Sequence, residues 1–312
     1  MAILSLIKAG ILIALFIVPL ISLLAPAMWP LSLFSNFSVQ TLFASLALFM
    51  VYLMHARFKP ALIALLAGGL SVLSIAHSPA LPSHERTSFL PGNSLRILHA
   101  NLLGNANALE ALLNNMDEKA GRPDIIVLTE LPGGVVEGDH LTSLFSTHGS
   151  RVFSAVGGPA RVLIASRHPI IKGERHHSLI IEAIVKMPGE RDVSIISMHP
   201  PPPITQMSGF RRNRALQIIF SVGQQKDVPT IILGDFNALP WDRTLRDAAQ
   251  QSGFARVTSG RFQPTWVNRM APFGLTIDHI YATSHFQTQS FSVGPPIGSD
   301  HFPIEATLRL SH

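Results

Sequence analysis

Cysteine is missing from all 312 residues. The chain can therefore form no disulfide and no thiolate metal site, and its redox compartment stays open. Acidic residues are missing from Met1 to Ser78, where Lys8, Arg57 and Lys59 are the only basic ones. Charged residues make up 14% of the chain against 47% hydrophobic, too apolar for an ordinary soluble protein, and the excess lies in that stretch. From Pro79 onward there are 21 basic and 19 acidic residues, a net charge of +2. A portion so close to neutral lacks the dense basic face needed to grip long duplex nucleic acid. No glycine-rich loop opens a helix in the phosphate-cradling pattern, and no serine stands on a nucleophile elbow, which argues against kinase and acyl-transfer chemistry.

The apolar excess resolves into three runs, near residues 3–24, 37–54 and 60–77, with Pro19 as an expected kink in the first. A membrane-spanning helix needs about 20 such residues, so we expect a three-helix transmembrane anchor over residues 1–78. Lys8 and the loop His55–Lys59 carry the basic charge, whereas residues 25–38 carry none. Basic loops stay in the cytoplasm, so three crossings put everything after Ser78 outside it. The third run is the shortest, and the orientation depends on it. Residues 79–93, rich in proline and serine, read as a linker to a domain over residues 94–312.

That domain is organised around Ile231-Ile232-Leu233-Gly234-Asp235-Phe236-Asn237. The apolar run reads as a buried strand, and Asp235 and Asn237 share one side where it ends. A carboxylate beside an amide suits polarising a water or holding a phosphate oxygen, although Gly-Asp-x-Asn is also good turn chemistry. Other strand ends carry polar groups too. Leu95 to Ala100 leads to Asn101, with His99 facing the same way and read as a structural neighbour. Ile125 to Leu128, apolar throughout, delivers Glu130. His199 precedes four prolines, Pro200 to Pro203, which stiffen its exit. Thr276 to Ala282 reads as a strand with Asp278 near its start, and Asp300 and His301 sit in a glycine- and serine-rich loop. Leu109, Leu112, Leu113 and Met116 have helical core spacing, as do Leu216, Ile219 and Phe220 in an expected helix over residues 206–225. That helix carries Arg211, Arg212 and Arg214 in early turns, where cations oppose the macrodipole; Arg211 and Arg214 are candidate substrate contacts or merely solvated. Residues 141–158 read as a short helix, a loop and a strand, and His176-His177 as loop. In open α/β sheets, sites form at the carboxyl ends of strands.

The sum is an oxygen-rich set of carboxylates and amides with two histidines and no thiolate, which suits Mg²⁺ or Mn²⁺. Phosphoester cleavage needs such parts: a metal on the phosphate, a base for water and donors for developing charge. The ordered series Asn101, Thr129-Glu130, Ser166-Arg167-His168-Pro169-Ile170, His199, Gly234-Asp235-Phe236-Asn237, Ile277-Asp278-His279-Ile280 and Ser299-Asp300-His301 resembles the endonuclease/exonuclease/phosphatase superfamily, the DNase I-like group. The resemblance implies an α/β fold, a two-sheet sandwich flanked by helices. It implies that Glu130 holds the divalent metal with Asn101 and Asp300 nearby. By the same likeness Asp235 orients or deprotonates water, Asn237 binds phosphate, His301 contacts phosphate with Asp278 as its partner, and His199 is the second histidine. Thr129 stands where glutamine usually precedes the metal-binding glutamate, and substrate class does not carry over.

The anchor followed by His-Pro-Pro-Pro-Pro resembles the VanJ-like, membrane-anchored bacterial branch. That implies a multi-pass protein of the cytoplasmic (inner) membrane acting outside it on a lipid-linked phosphate, a pyrophosphate or a phospholipid headgroup. The alternatives are an extracytoplasmic metal-dependent nuclease, which the domain charge disfavours, and an inactive membrane-tethered binding module. Oligomeric state is not legible in the sequence.

Overall fold

The computed structural model describes residues 2–24, 28–75, 80–81, 94–118, 122–133, 150–153, 161–189, 191–268 and 271–310. The chain divides into two compact units. One comprises Met1–Ser78, Pro203–Phe210 and Leu239–Arg246; the other comprises Pro79–Pro202, Arg211–Ala238 and Asp247–His312.

In the first unit, α1 (Ala2–Leu24), a 3-10 turn (Leu31–Phe37), α2 (Ser38–Met54) and α3 (Phe58–Ile75) form the amino-terminal bundle. Its three helices are long and apolar enough to cross a membrane, over Leu6–Leu24, Leu31–Met54 and Phe58–Ile75. Their packing is the reverse of a soluble helix. Small residues Ala61, Ala64, Ala67, Gly68 and Ser71 of α3 face inward, while Leu62, Leu65, Leu66 and Leu73 are exposed. Small residues let helix backbones approach where lipid removes the hydrophobic drive to associate, and Gly68 lies against Ser45 and Leu42 of α2. Some buried hydroxyls return to their own helix, as Ser71 does to the Ala67 carbonyl at 3.0 Å. Two outlying segments join this bundle: Trp29 Nε1 donates to the Pro203 carbonyl (3.1 Å) and Trp241 Nε1 to the Ser35 carbonyl (2.8 Å).

The second unit is a two-sheet sandwich. Its first sheet has the order β13-β14-β1-β2-β4-β3, from β1 (Ser94–Asn101), β2 (Ile125–Thr129), β3 (Ser150–Phe153), β4 (Val162–Ser166), β13 (Phe286–Val293) and β14 (Ile304–Leu310). Its second has the order β5-β6-β7-β8-β12-β9, from β5 (Ile170–His177), β6 (Ile180–Met187), β7 (Arg191–Met198), β8 (Thr230–Asp235), β9 (Ala255–Arg256) and β12 (Asp278–Ala282). A separate ribbon pairs β10 (Trp266–Asn268) with β11 (Ala271–Leu275). Both sheets are mixed, with one parallel pair at the centre of each: β1 with β2, and β7 with β8.

Strand alternation decides what each residue faces. Leu95 and Ile97 of β1 and Ile125 and Val127 of β2 meet Ile181, Ile195, Ile231, Leu233 and Ile280 in the core between the sheets. Leu98, Ala100, Ile126 and Leu128 face the other way and pack on Leu109, Leu112, Leu113 and Met116 of α4 (Ala106–Glu118). Because β2 is covered on both faces it is apolar throughout. On the second sheet, α5 (Gln206–Gln224) buries Leu216, Ile219 and Phe220. Phe220 meets Tyr281, Phe254 and Phe236 edge-on at 5.2–6.4 Å. The helix after the central motif, α6 (Arg243–Gln251), begins at an Asp242 side chain that accepts from the Thr244 and Leu245 amides.

Three expectations need correcting. His176 and His177 end strand β5 rather than lying in a loop, and His176 Nε2 meets Glu182. Leu81, inside the expected linker, is buried in the inter-sheet core, and its amide donates to the Arg256 carbonyl. The third membrane-length helix starts at Phe58, two residues earlier than expected. Of residues 141–158, only strand β3 lies within the described residues.

Candidate active site

The two parallel pairs end side by side, and these ends carry the polar groups. The β1–β2 pair runs out at Asn101 opposite Thr129, with Glu130 next; β7–β8 runs out at Met198 opposite Gly234, with His199 and Asp235 next. Antiparallel β12 sets Asp278 opposite Asp235.

Glu130 and Asn237 both adopt left-handed backbone, with φ of +48° and +49°. Such conformations cost of order 1–3 kcal/mol and persist where surroundings over-determine them. Glu130 is held by its carbonyl, which accepts from Gly104 N–H at 2.8 Å. Asn237 is held by its amide N–H, which donates to Asp235 Oδ1 at 2.9 Å, and by its side chain, which donates to the Pro200 carbonyl at 3.0 Å. The side-chain amide read as a phosphate donor is thus engaged in closing the loop onto the proline exit of β7. Gly234 allows this turn. Its φ is +149°, and a Cβ there would stand 2.1 Å from the Met198 carbonyl oxygen.

Asn101 Nδ2 bridges Glu130 Oε1 (2.9 Å) and Asp235 Oδ2 (3.1 Å), while its Oδ1 accepts from the Leu103 amide. That second bond fixes the orientation, so Asn101 turns N–H groups, not its oxygen, toward the carboxylates. His199 Nε2 stands 3.4 Å from both Glu130 Oε1 and Asp235 Oδ2. His301 Nε2 stands 3.7 Å from Asp235 Oδ2, and its Nδ1 pairs with Asp278 Oδ2 at 2.8 Å. The other oxygen of Asp278 is taken by His99 Nε2 at 3.0 Å. All of these groups except Glu130 are buried.

The electrostatics follow from that burial. Desolvation would raise the Asp278 carboxyl, but His301 and His99 outweigh it and hold it far below the usual carboxylate range. Desolvation would lower His301, but Asp278, Asp235 and Asp300 hold it up at about 10, so it carries charge at neutral pH. The neighbouring His279 goes the other way. Burial, then Arg256, pushes it down to about 4, and its neutral ring bonds the Ala238 carbonyl.

The oxygen donors suit a hard divalent cation. Glu130 His199 Asp235 and Asp235 Asp278 His301 each bring ligand atoms within 4.8 Å of one another. Asp300 belongs to neither group, with its Oδ1 4.0 Å from His301 Nε2. That oxygen is nevertheless buried with no hydrogen-bond partner among the described residues. An orphaned anionic oxygen at such a place fits a cation-binding role. A third group, Glu174 His176 Glu182, lies apart, and Lys226 Nζ already neutralises Glu182 at 2.6 Å.

Sequence reasoning missed two supporting residues. Trp266 Nε1 donates to Asp300 Oδ2 at 2.8 Å. Thr265 Oγ1 accepts from the Ile277 and Asp278 amides. Both lie in a stretch with no apolar periodicity to flag it. His99 proves to be the second partner of Asp278. Of the three early arginines in α5, Arg212 is the one that turns inward, buried and donating to the Asn237 carbonyl at 3.0 Å. Arg211 and Arg214 are exposed.

Comparison with known proteins follows from this geometry. The endonuclease/exonuclease/phosphatase family model matches residues 98–301. No curated protein matches in sequence. The second unit's fold is shared with several solved structures. An endonuclease/exonuclease/phosphatase from Beutenbergia cavernae DSM 12333 is 20% identical over 70% of this chain and 72% of its own, with a TM-score of 0.56. The human Nocturnin catalytic domain with bound sulfate anion is 17% identical over 70% of this chain and 96% of its own, also at 0.56. A family protein from Bacteroides thetaiotaomicron is 12% identical over 72% of this chain and 100% of its own, at 0.55.

Proposed function

The chain belongs to the endonuclease/exonuclease/phosphatase family, whose members hydrolyse phosphoesters, and on that premise we propose that it is a membrane-anchored, divalent-metal-dependent phosphoesterase. Its substrate is a lipid-linked phosphate or pyrophosphate, or a phospholipid headgroup, at the outer face of the cytoplasmic membrane, as in the VanJ-like branch it resembles. One observation carries the reading: a hydrolytic set of buried His199, Asp235, Asp278 and His301 with half-buried Glu130, in a chain that also has three membrane-length helices. Tethering raises the local concentration of a membrane-bound substrate.

The outward placement draws support from charge and from contacts. Arg57 and Lys59 mark the α2–α3 connection as cytoplasmic. Trp29 belongs to the connection without basic residues, and it holds Pro203.

Glu130 and Asp300 would hold Mg²⁺ or Mn²⁺. When bound, the cation neutralises charge on the phosphate and positions it for in-line attack. The chain's own groups do the rest. Asp235, aimed by the Asn101 amide and the Asn237 N–H, orients the attacking water and takes its proton. His301, kept charged by Asp278, donates to a phosphate oxygen and stabilises charge developing there; His199 donates from the other side. Asn101 and Asn237 act as positioning residues.

The test uses the full-length protein in detergent with Mg²⁺, presented with bis-p-nitrophenyl phosphate, undecaprenyl pyrophosphate, sphingomyelin and plasmid DNA. Asp235→Ala and His301→Ala should each abolish metal-dependent hydrolysis. Full activity in both variants refutes the mechanism, and plasmid nicking without lipid hydrolysis transfers the assignment to a nuclease.

A further inference from the structure

Ile204, Met207 and Phe210 are 76%, 61% and 67% exposed. They recur every three residues where α5 begins, so they share one side of that first turn. The turn is rigid. The Ser208 amide donates to Thr205 Oγ1 (3.1 Å) and the Thr205 amide to Ser208 Oγ (3.0 Å), a reciprocal cap. Its remaining side is seated: a Cβ on Gly209 would stand 3.3 Å from Trp29 Cδ1, and the Trp29 indole holds the Pro203 carbonyl. All of these residues belong to the unit that contains the three membrane-length helices.

Three large apolar side chains held outward on a capped turn mark an interaction surface. Its surroundings specify a lipid occupant. Trp29 lies five residues beyond the apolar span Leu6–Leu24, at the level where tryptophan sits between acyl chains and headgroups. The first turn of α5 has no acidic residue, and the exposed cations that follow, Arg211 and Arg214, suit anionic headgroups. Only Pro200 to Pro203 separate His199 from Ile204.

We propose that Ile204, Met207 and Phe210 form a wedge inserted into the headgroup–acyl boundary of the bilayer, and that this seat, joined to His199 through Pro200 to Pro203, favours turnover of membrane-embedded substrate. The substrate half rests on the lipid-phosphate reading above; the lipid contact does not.

The chain has no cysteine, so Met207→Cys offers a single thiol for an environment-sensitive fluorophore. In nanodiscs of phosphatidylglycerol and phosphatidylcholine, the label should emit as in an apolar medium and be quenched by lipid spin-labelled near the headgroup. Water-like emission without lipid quenching overturns the wedge. A second arm replaces all three residues, I204S, M207S and F210S, in the full-length protein. Turnover of undecaprenyl pyrophosphate in vesicles should fall about tenfold while soluble bis-p-nitrophenyl phosphate is hydrolysed at an unchanged rate. Equal loss on both substrates, or on neither, overturns the role in turnover of membrane-embedded substrate. If the unaltered protein hydrolyses no lipid phosphate, the proposed function fails and the quenching result alone decides the wedge.

Discussion

Gly234→Ala tests the strand-end geometry directly. The new Cβ would stand 2.1 Å from the Met198 carbonyl oxygen and 3.2 Å from its carbon. An ordinary carbon–oxygen contact is about 3.3 Å, so β7 and β8 must part by about 1 Å at their shared end. The methyl also meets an unfavourable φ of +149°. Backbone strain of about 1–3 kcal/mol and overpacking of about 1–3 kcal/mol sum to about 2–6 kcal/mol. The displacement falls between Met198 and Gly234, whose next residues are His199 and Asp235. A shift of about 1 Å in reacting groups costs about a hundredfold in rate. Urea unfolding followed by tryptophan fluorescence, with hydrolysis of bis-p-nitrophenyl phosphate, measures both effects. Gly260→Ala is the control, because it has φ of +76° with nothing within 4 Å. If G234A matched G260A in midpoint and retained full turnover, the account of the strand ends would be wrong.

Phe220→Ala empties a site ringed by Phe236, Phe254 and Tyr281 and should destabilise the protein by about 3–5 kcal/mol, read as a lowered urea midpoint. Asp278→Asn keeps the shape but removes the charge that holds His301 protonated; turnover should fall at least about a hundredfold and the alkaline limb of the pH–rate profile should move to lower pH. His279 has a folded pKa of about 4 against about 6.5 unfolded, so the unfolded chain binds more protons between these values. Stability from this group is intact above about 6.5 and falls as pH drops toward about 4, by about 3 kcal/mol in all. Acid titration of the unfolding midpoint should show this loss in the natural protein and lack it in His279→Gln.

The sandwich was legible because each strand's alternation states how many faces are covered. The unbroken Ile125–Leu128 run announced a doubly covered strand, and the α4 stripe announced its cover. The site was legible because its residues sit at strand ends flanked by glycine or proline, as Asp235 and His199 do. What escaped came from contacts between parts distant in sequence. Nothing in the segment around Trp266 or Thr265 indicates that each supports a loop on another element. The arginines of α5 are equivalent in sequence, and only the helix's rotation against β8 selects Arg212. His176 was misread because its partner Glu182 lies across a hairpin, where sequence proximity does not reveal pairing. In the amino-terminal bundle, composition identified three helices long and apolar enough to cross a membrane, but not the buried small-residue face of α3, because leucine and alanine are both apolar.

Asp278 spends one oxygen on His99 and the other on His301. A substitution at His99 therefore reaches His301 through the carboxylate they share. A residue one carboxylate removed from the candidate site, His99, should thus share much of the mutational sensitivity of His301.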